Sequence, residues 1–160
     1  MKYPITREGF DGIKKDIEYL RNTKRPKILL AIEEARAHGD ISENAEYDAA
    51  KEEYQFLQKS LSELEEVMKQ CEVVQIKKNP NGLVDFGGKV ELRNLDTDEE
   101  VTYTVVGPYE SDLGNGKISM SSPLGRALLG KGVGDEVNFS APGGERTYEI
   151  IKVTWNGEAP

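Results

Sequence analysis

Apolar residues recur at alternating spacings of three and four through residues 44–71, a segment that contains no glycine or proline. A repeat of this kind, sustained over more than three heptads, is typical of a coiled-coil seam. We therefore predict one helix, roughly 40 Å long at about 1.5 Å of rise per residue. The predicted seam positions are Tyr47, Ala50, Tyr54, Leu57, Leu61, Leu64, Met68 and Cys71.

A second amphipathic segment precedes this helix and begins after Thr6, a suitable helix N-cap. Pro26 cannot donate a backbone hydrogen bond inside a helix, so we predict a break or kink near residues 22–25. A new helical stretch then runs to Gly39, a residue type common just past a helix end. A short turn makes the two arms antiparallel, so that their seams cover each other. The apolar positions of this first arm are Phe10, Ile13, Ile17, Leu20, Ile28, Ile32 and Ala35.

The turn between the arms carries two carboxylates, those of Asp40 and Glu43. In one interpretation they form a capping box at the start of the second helix, where acids also favour the helix dipole. In the other they bind a divalent cation. Magnesium takes about six oxygens and usually only one or two protein carboxylates, so an exposed pair would complete a site only within another protein. The residues alone leave both interpretations open.

From residue 73 the pattern changes to short strands separated by turn residues. Ser122 and Pro123 predict the start of one short helix, over residues 122–130. The strand candidates are residues 73–76, 83–86, 89–92, 101–105, 117–120, 135–139 and 148–153. The predicted fold class is α+β: an N-terminal antiparallel α-helical coiled-coil hairpin, residues 1–75 with an acidic tip at 39–44, followed by a C-terminal antiparallel β domain with one short helix, residues 76–160.

Composition and charge restrict the class of protein. A single cysteine, Cys71, excludes an internal disulfide and a cysteine-built zinc site. Because no signal-peptide pattern or membrane-spanning apolar run is present, we expect a cytoplasmic protein with no membrane partner. The net charge is −8. Residues 39–72 carry ten acidic against three basic residues, whereas residues 1–38 carry nine basic against six acidic. So acidic a chain would meet nucleic acid only where another protein presents it.

The tip segment, Gly39-Asp40-Ile41-Ser42-Glu43-Asn44-Ala45-Glu46-Tyr47, resembles the tip signature of bacterial transcript cleavage factors of the GreA type, in the GreA/GreB family. Residues 121–131 resemble the second signature of that family, as do residues 134–137 together with the Pro-Gly-Gly turn at 142–144. The resemblance extends over residues 1–155 in the same order.

The resemblance implies that the hairpin enters the secondary channel of bacterial RNA polymerase after the enzyme has backtracked. Asp40 and Glu43 would then help hold a Mg²⁺ shared with the polymerase, which itself cuts the transcript; no cofactor is expected in isolation. The partners would be the polymerase and, through it, the 3′ end of the nascent RNA, with this chain an accessory monomer and not an enzyme. The candidate residues facing polymerase or RNA are Arg36, Lys51, Asn44, Ser42, Lys24, Arg25 and Lys27.

Alternatives remain for both the residues and the function. Arg36 and Lys51 could form ordinary salt bridges with Glu34 or Asp48, and His38 could be a solvated residue at a helix end. The chain could fill the channel and inhibit without cleavage. It could also be a prolyl isomerase with a helical arm, because the family's C-terminal domain resembles FK506-binding proteins; fold, however, does not imply activity. The resemblance implies instead that this domain docks on the polymerase.

Overall fold

The computed structural model describes residues 2–37 and 45–155 and confirms the α+β fold class. Its α-helices are α1 (Arg7–Tyr19), α2 (Arg25–Ala37), α3 (Ala45–Gln70) and α4 (Pro123–Leu128), with a π-helical turn at Leu20–Lys24 and a 3₁₀ turn at Leu113–Asn115. Its strands are β1 (Tyr3–Ile5), β2 (Cys71–Val73), β3 (Gly88–Asn94), β4 (Glu100–Val106), β5 (Lys117–Ser119), β6 (Glu136–Ala141) and β7 (Gly144–Trp155).

Two compact units make up the chain. One is Phe10–Gln70, and the other combines Met1–Gly9 with Cys71–Pro160. We call them the hairpin unit and the sheet unit. The division between the units differs from the predicted boundary between residues 75 and 76. The reason is that β1, near the N-terminus, pairs in parallel with β2. The first residues of the chain thus belong with its C-terminal part.

In the hairpin unit, α2 packs on α3 as the seam predicts. Every predicted seam position of the second arm is buried or half-buried, and Leu57 is only 1% exposed. An ion pair between Arg21 and Glu65 links the early part of the first arm to the late part of the second, as antiparallel arms require. None of the described helices is long and apolar enough to cross a membrane, since charged residues alternate with the seam.

The first arm begins as predicted, because the hydroxyl of Thr6 accepts a hydrogen bond from the Gly9 N–H at 3.0 Å. The helix is irregular where a break or kink was predicted, near residues 22–25, but it is not interrupted there. The backbone there forms the π-helical turn, in which the Arg25 N–H bonds to the Leu20 carbonyl, five residues back. Pro26 has no N–H to contribute, and a single wider turn accommodates that missing donor while the helix continues.

In the sheet unit, five strands form one sheet in the order β5-β4-β3-β7-β6. Its pairings are antiparallel except for β4 with β5, which run parallel. The antiparallel prediction therefore misses two parallel pairings, this one and β1 with β2. The cluster beneath the sheet is Val84, Val90, Leu92, Val105, Ile118, Leu124, Leu128, Val137, Tyr148 and Ile150.

Two strand predictions are wrong in detail. Residues 83–86 form no strand, and the strand predicted at 73–76 lies instead at Cys71–Val73. Val84 is nevertheless 2% exposed. Its N–H donates to the Lys131 carbonyl at 2.8 Å, and its carbonyl accepts from the Gly130 N–H at 3.0 Å. The apolar run is thus a core segment whose backbone pairs with the loop after α4.

The short helix α4 forms as predicted. The Ser122 hydroxyl caps it by accepting from the Gly125 N–H at 3.1 Å, and Pro123 occupies the first helical position. A Cβ atom on Gly125 would overlap the Ser119 carbonyl oxygen. The second signature motif therefore has a structural explanation, because its cap and its glycine let α4 lie directly against the end of β5.

Candidate functional site

Residues 38–44 lie outside the part of the chain that the structure describes. This segment contains Asp40, Glu43, Ser42, Asn44, His38 and Gly39, and every role predicted for them stays a prediction. The structure describes the two arms on either side, where α2 ends at Ala37 and α3 begins at Ala45.

Small residues are buried at the ends of the two arms that face this segment. Ala35 on α2 and Ala50 on α3 are 3% and 6% exposed, whereas larger residues, among them Ile28 and Leu57, are buried farther from the tip. The distance between two packed helices depends on the size of the side chains at their contact. Alanines at the outer end thus favour a slender hairpin. The described part of the site is the last two turns of α2 and the first two of α3.

Two basic side chains flank the tip, Arg36 on α2 and Lys51 on α3, and both are exposed. Within residues 2–37 and 45–155 neither forms an ion pair, so the alternative salt bridges with Glu34 or Asp48 are absent there. The Lys51 Nζ instead lies 5.3 Å from the centroid of the Tyr47 ring. This cation–π contact places the ammonium beside the half-buried Tyr47 ring, and the exposed Lys51 side chain stays accessible to an anion.

The second basic group, Lys24, Arg25 and Lys27, lies at the π-helical turn and the start of α2. Lys24 and Arg25 are half-buried and Lys27 is exposed. Ten to thirteen helical residues separate them from the end of the arm at Ala37, which corresponds to about 15–20 Å along the axis. The structure therefore separates these three residues from Arg36 and Lys51, and they form no single basic patch with them.

The predicted metal pair can be judged by its donor chemistry. Among the described residues, no three His, Cys, Asp or Glu side chains come together in a way that could hold a metal ion. Asp40 and Glu43 would offer carboxylate oxygens, the ligands Mg²⁺ prefers, in the number it usually takes from one protein. The pair therefore fits a magnesium site whose remaining ligands come from elsewhere.

Several aromatic residues of the sheet unit lie in its interior. Phe86, Tyr148 and Trp155 are buried, and the Phe139 and Tyr148 rings stack with centroids 5.7 Å apart. A cavity of about 440 Å³ in the same unit has no aromatic lining; it is bounded by residues 6–8 and 73–76. Tyr109, in contrast, is 41% exposed.

Cys71, predicted as the last seam position of the helix, is instead the first residue of β2 and is 5% exposed. Burial and, to a smaller extent, the negative charge of Glu110 raise the pKa of its thiol above the ordinary value of 9.0. The unfolded chain therefore loses this proton at a lower pH than the folded chain. The resulting contribution to stability is complete below pH 9.0 and is lost as the pH rises through the folded pKa.

We therefore expect the free energy of unfolding to fall more steeply above pH 9.0 in the wild type than in Cys71→Ala. Urea denaturation of both proteins on each side of that pH measures the difference. The loss of packing in the variant is a constant offset, which cancels when the two pH values are compared. Equal slopes in the two proteins would contradict the raised thiol pKa.

Sequence reasoning missed one residue entirely, Glu110. Its carboxylate accepts hydrogen bonds from both the N–H and the hydroxyl of Thr6. The two residues are 104 positions apart. No local pattern could have joined them, because only the folded chain brings β1 beside the loop that follows β4.

Comparison with known protein families finds a match for each of the two parts of the chain. Residues 3–73 match the family model described as transcription elongation factor, N-terminal, and residues 79–155 match transcription elongation factor, GreA/GreB, C-term. Both models describe transcription elongation factors, and together they cover nearly the whole chain. The chain belongs to the GreA/GreB family of transcription elongation factors.

Relatives and solved structures extend this comparison. Transcription elongation factor GreA of Sinorhizobium medicae (strain WSM419) is 46% identical over 96% of this chain and 98% of its own length. The GreA of Chelativorans sp. (strain BNC1) is 47% identical over the same shares. Among solved structures, Gfh1 of Thermus aquaticus is 27% identical with a TM-score of 0.44, covering 95% of this chain and 97% of that one. GreA/GreB from Nitrosomonas europaea is 24% identical with a TM-score of 0.43, covering 96% of this chain and all of that one.

Proposed function

We propose that this chain inserts its hairpin into the secondary channel of bacterial RNA polymerase and stimulates endonucleolytic cleavage of backtracked RNA, releasing arrested complexes. It acts as an accessory monomer in the cytoplasm, and the polymerase performs the cut. The observation that carries the proposal is the pair Asp40 and Glu43, placed in the sequence between two antiparallel arms in a chain of the GreA/GreB family.

The shape of the described arms supports this function. The second arm α3 has 26 residues and is thus about 39 Å long, and its seam residues pack against the first arm. A rigid, slender hairpin can reach into a deep channel, whereas a flexible loop of the same length would lose entropy on entering. The sheet unit stays outside and, in this proposal, docks on the polymerase surface.

Each tip residue then has a distinct role. Asp40 and Glu43 present carboxylate oxygens to a magnesium ion that the polymerase also holds. When bound there, Mg²⁺ supplies the electrostatic activation of water that phosphodiester hydrolysis needs. Arg36 and Lys51 lie on opposite arms and offer cations to the phosphates of the extruded RNA. Ser42 and Asn44 would add polar contacts at the tip, and Lys24, Arg25 and Lys27 would contact the polymerase or RNA farther along the stem.

A cleavage assay tests the proposal directly. A backtracked elongation complex carrying 5′-labelled RNA is incubated with magnesium, with and without this protein, and the shortening of the label is followed. Faster shortening with the protein is the expected result. Intact binding to the polymerase with no shortening would overturn cleavage and favour the channel-filling inhibitor. In that case Asp40 and Glu43 would serve as helix caps.

The two flanking cations allow a separate prediction. We expect Lys51→Gln to lower the cleavage rate about tenfold, since each lost charge-assisted phosphate contact corresponds to about 1.4 kcal/mol of activation free energy. Stability should fall by no more than about 1 kcal/mol, because Lys51 is exposed and the contact it loses is the cation–π contact with Tyr47. Cleavage kinetics and thermal denaturation measure the two effects.

Lys59→Gln is the matched control. Lys59 is also exposed on α3 but lies fourteen residues beyond Ala45, about 21 Å along the helix. Its replacement removes the same charge far from the tip and should leave cleavage unchanged. Equal losses in the two variants would mean that net charge, and not a contact at the tip, decides the rate.

A further inference from the structure

The start of α1 is hydrogen-bonded to a carboxylate from a distant part of the chain. Glu110 Oε1 accepts the backbone N–H of Thr6 at 2.5 Å, and Oε2 accepts the Thr6 hydroxyl at 2.6 Å. That hydroxyl in turn accepts the Gly9 N–H at 3.0 Å. We refer to Thr6, Gly9 and Glu110 as the root clamp. All three residues belong to the sheet unit.

The root clamp leaves no room for a side chain at Gly9. A Cβ atom built on Gly9 would lie 2.6 Å from Glu110 Cδ and 2.7 Å from Oε2. The carboxylate thus rests directly on the backbone of the helix. Because it is the far end of a flexible side chain, a methyl group at residue 9 would displace the carboxylate and leave the backbone in place.

Two neighbouring contacts hold the same loop against β1. A Cβ atom on Gly107 would overlap the Pro4 carbonyl oxygen, so the two backbones are in close contact. The rings of Tyr3 and Tyr109 meet edge to face with centroids 5.6 Å apart. Glu110 therefore sits on a loop already fixed to β1. The charge of its carboxylate also suits the positive N-terminal end of α1.

The clamp does more than cap a helix. The Thr6 hydroxyl alone would satisfy the Gly9 N–H, as an ordinary N-cap does. Glu110 adds an acceptor for the N–H of Thr6 itself and accepts a hydrogen bond from the Thr6 hydroxyl, which orients a lone pair of the hydroxyl oxygen toward the Gly9 N–H. The start of α1 is thereby bonded to the sheet unit. Past Gly9 the same helix becomes the first arm of the hairpin unit.

We propose that Glu110 is a positioning residue, which roots the first arm in the sheet unit so that the hairpin and the sheet unit engage polymerase together. The inference rests on the proposed function, in which both units contact the enzyme. Two linked contacts strengthen each other through effective concentration, and a looser linkage lowers that concentration. Loss of the clamp therefore weakens binding and leaves the chemistry at the tip unchanged.

The test uses the full chain in the cleavage assay at increasing factor concentration. Glu110→Ala and Gly9→Ala should each raise the half-saturating concentration by about three- to tenfold, with the saturated cleavage rate retained. Glu110→Gln keeps one acceptor oxygen for the Thr6 N–H and should fall between Glu110→Ala and the wild type. The assay is run well below the thermal transition of every variant, so that unfolding does not contribute.

Gly12→Ala is the matched control for Gly9→Ala. Both glycines lie in α1, and both replacements raise helix propensity, but no atom lies within 4 Å of a Cβ on Gly12. Gly12→Ala should leave the half-saturating concentration unchanged. If Gly9→Ala acted only through helix propensity, the two variants would have the same half-saturating concentration.

A second readout does not depend on polymerase. Amide hydrogen exchange at Thr6 should be about tenfold faster in Glu110→Ala, because the Thr6 N–H loses its acceptor. Normal cleavage by the wild type with an unchanged half-saturating concentration in Glu110→Ala would overturn this inference alone. Unchanged exchange would also overturn it. Absence of cleavage by the wild type would overturn the proposed function and this inference with it.

Discussion

Replacing Asp40 by Asn should lower the saturated cleavage rate by about 100- to 1000-fold, the usual effect of removing one electrostatic group from a reacting centre. Asn keeps the shape of Asp but carries no charge to offer a metal ion. It is also about as good an N-cap as Asp, so the free energy of unfolding should hardly change. Single-turnover cleavage of a backtracked complex, together with denaturation of the free factor, measures both quantities.

Asp48→Asn is the control for this experiment. Asp48 is an exposed acid in the first turn of α3, so its replacement removes the same charge from the same end of the helix. It should cleave like the wild type. If Asp40→Asn also cleaves normally, the metal role is wrong and Asp40 is a cap. The Asp40→Ala variant would then lose about 0.5–2 kcal/mol of stability without losing activity.

Replacing Gly125 by Ala should destabilise the sheet unit by more than about 3 kcal/mol, as expected for overpacking against groups that cannot move aside. Helix propensity alone predicts the opposite sign, since Ala is about 1 kcal/mol better than Gly inside a helix. The added methyl would overlap the Ser119 carbonyl oxygen and lie 3.0 Å from Met120 Cα, and both are backbone atoms. Thermal or urea denaturation measures the change.

The matched control is Gly114→Ala, in the same unit. The nearest atom to a Cβ on Gly114 is Asp112 Oδ1 at 3.6 Å, which is an ordinary contact. Its replacement should change stability by less than about 0.5 kcal/mol. A Gly125→Ala protein as stable as this control would mean that α4 can shift away from β5 at little cost.

Features set by neighbouring residues were predictable. The seam of α3, the cap at Thr6 and the start of α4 at Ser122 all follow from spacings within a few residues, and all three are confirmed. Each is decided by whether an apolar side chain meets the facing helix or a nearby hydroxyl meets an N–H. The tip acids are of the same kind in sequence, but their position lies outside the described residues.

Features that depend on distant partners were not predictable in the same way. Pro26 indicated a break or kink; the structure has a π-helical turn at that place, and packing of Ile28 and Ala35 against α3 keeps the first arm helical beyond it. Residues 83–86 have the composition of a strand, but Val84 finds its backbone partners at Gly130 and Lys131. Local preference amounts to a few tenths of a kcal/mol to about 1 kcal/mol per residue, and tertiary contacts override it.

The sequence by itself determined the α+β class, the antiparallel hairpin and the family, because these depend on periodicity and on ordered motifs along the chain. It also located Asp40 and Glu43 as candidate donors. Only the tertiary structure decided that the N-terminal strand pairs with β2 and that Glu110 accepts hydrogen bonds from Thr6 at the start of α1. Residues 104 positions apart have no shared local pattern, so their hydrogen bond exists only once folding has brought them together.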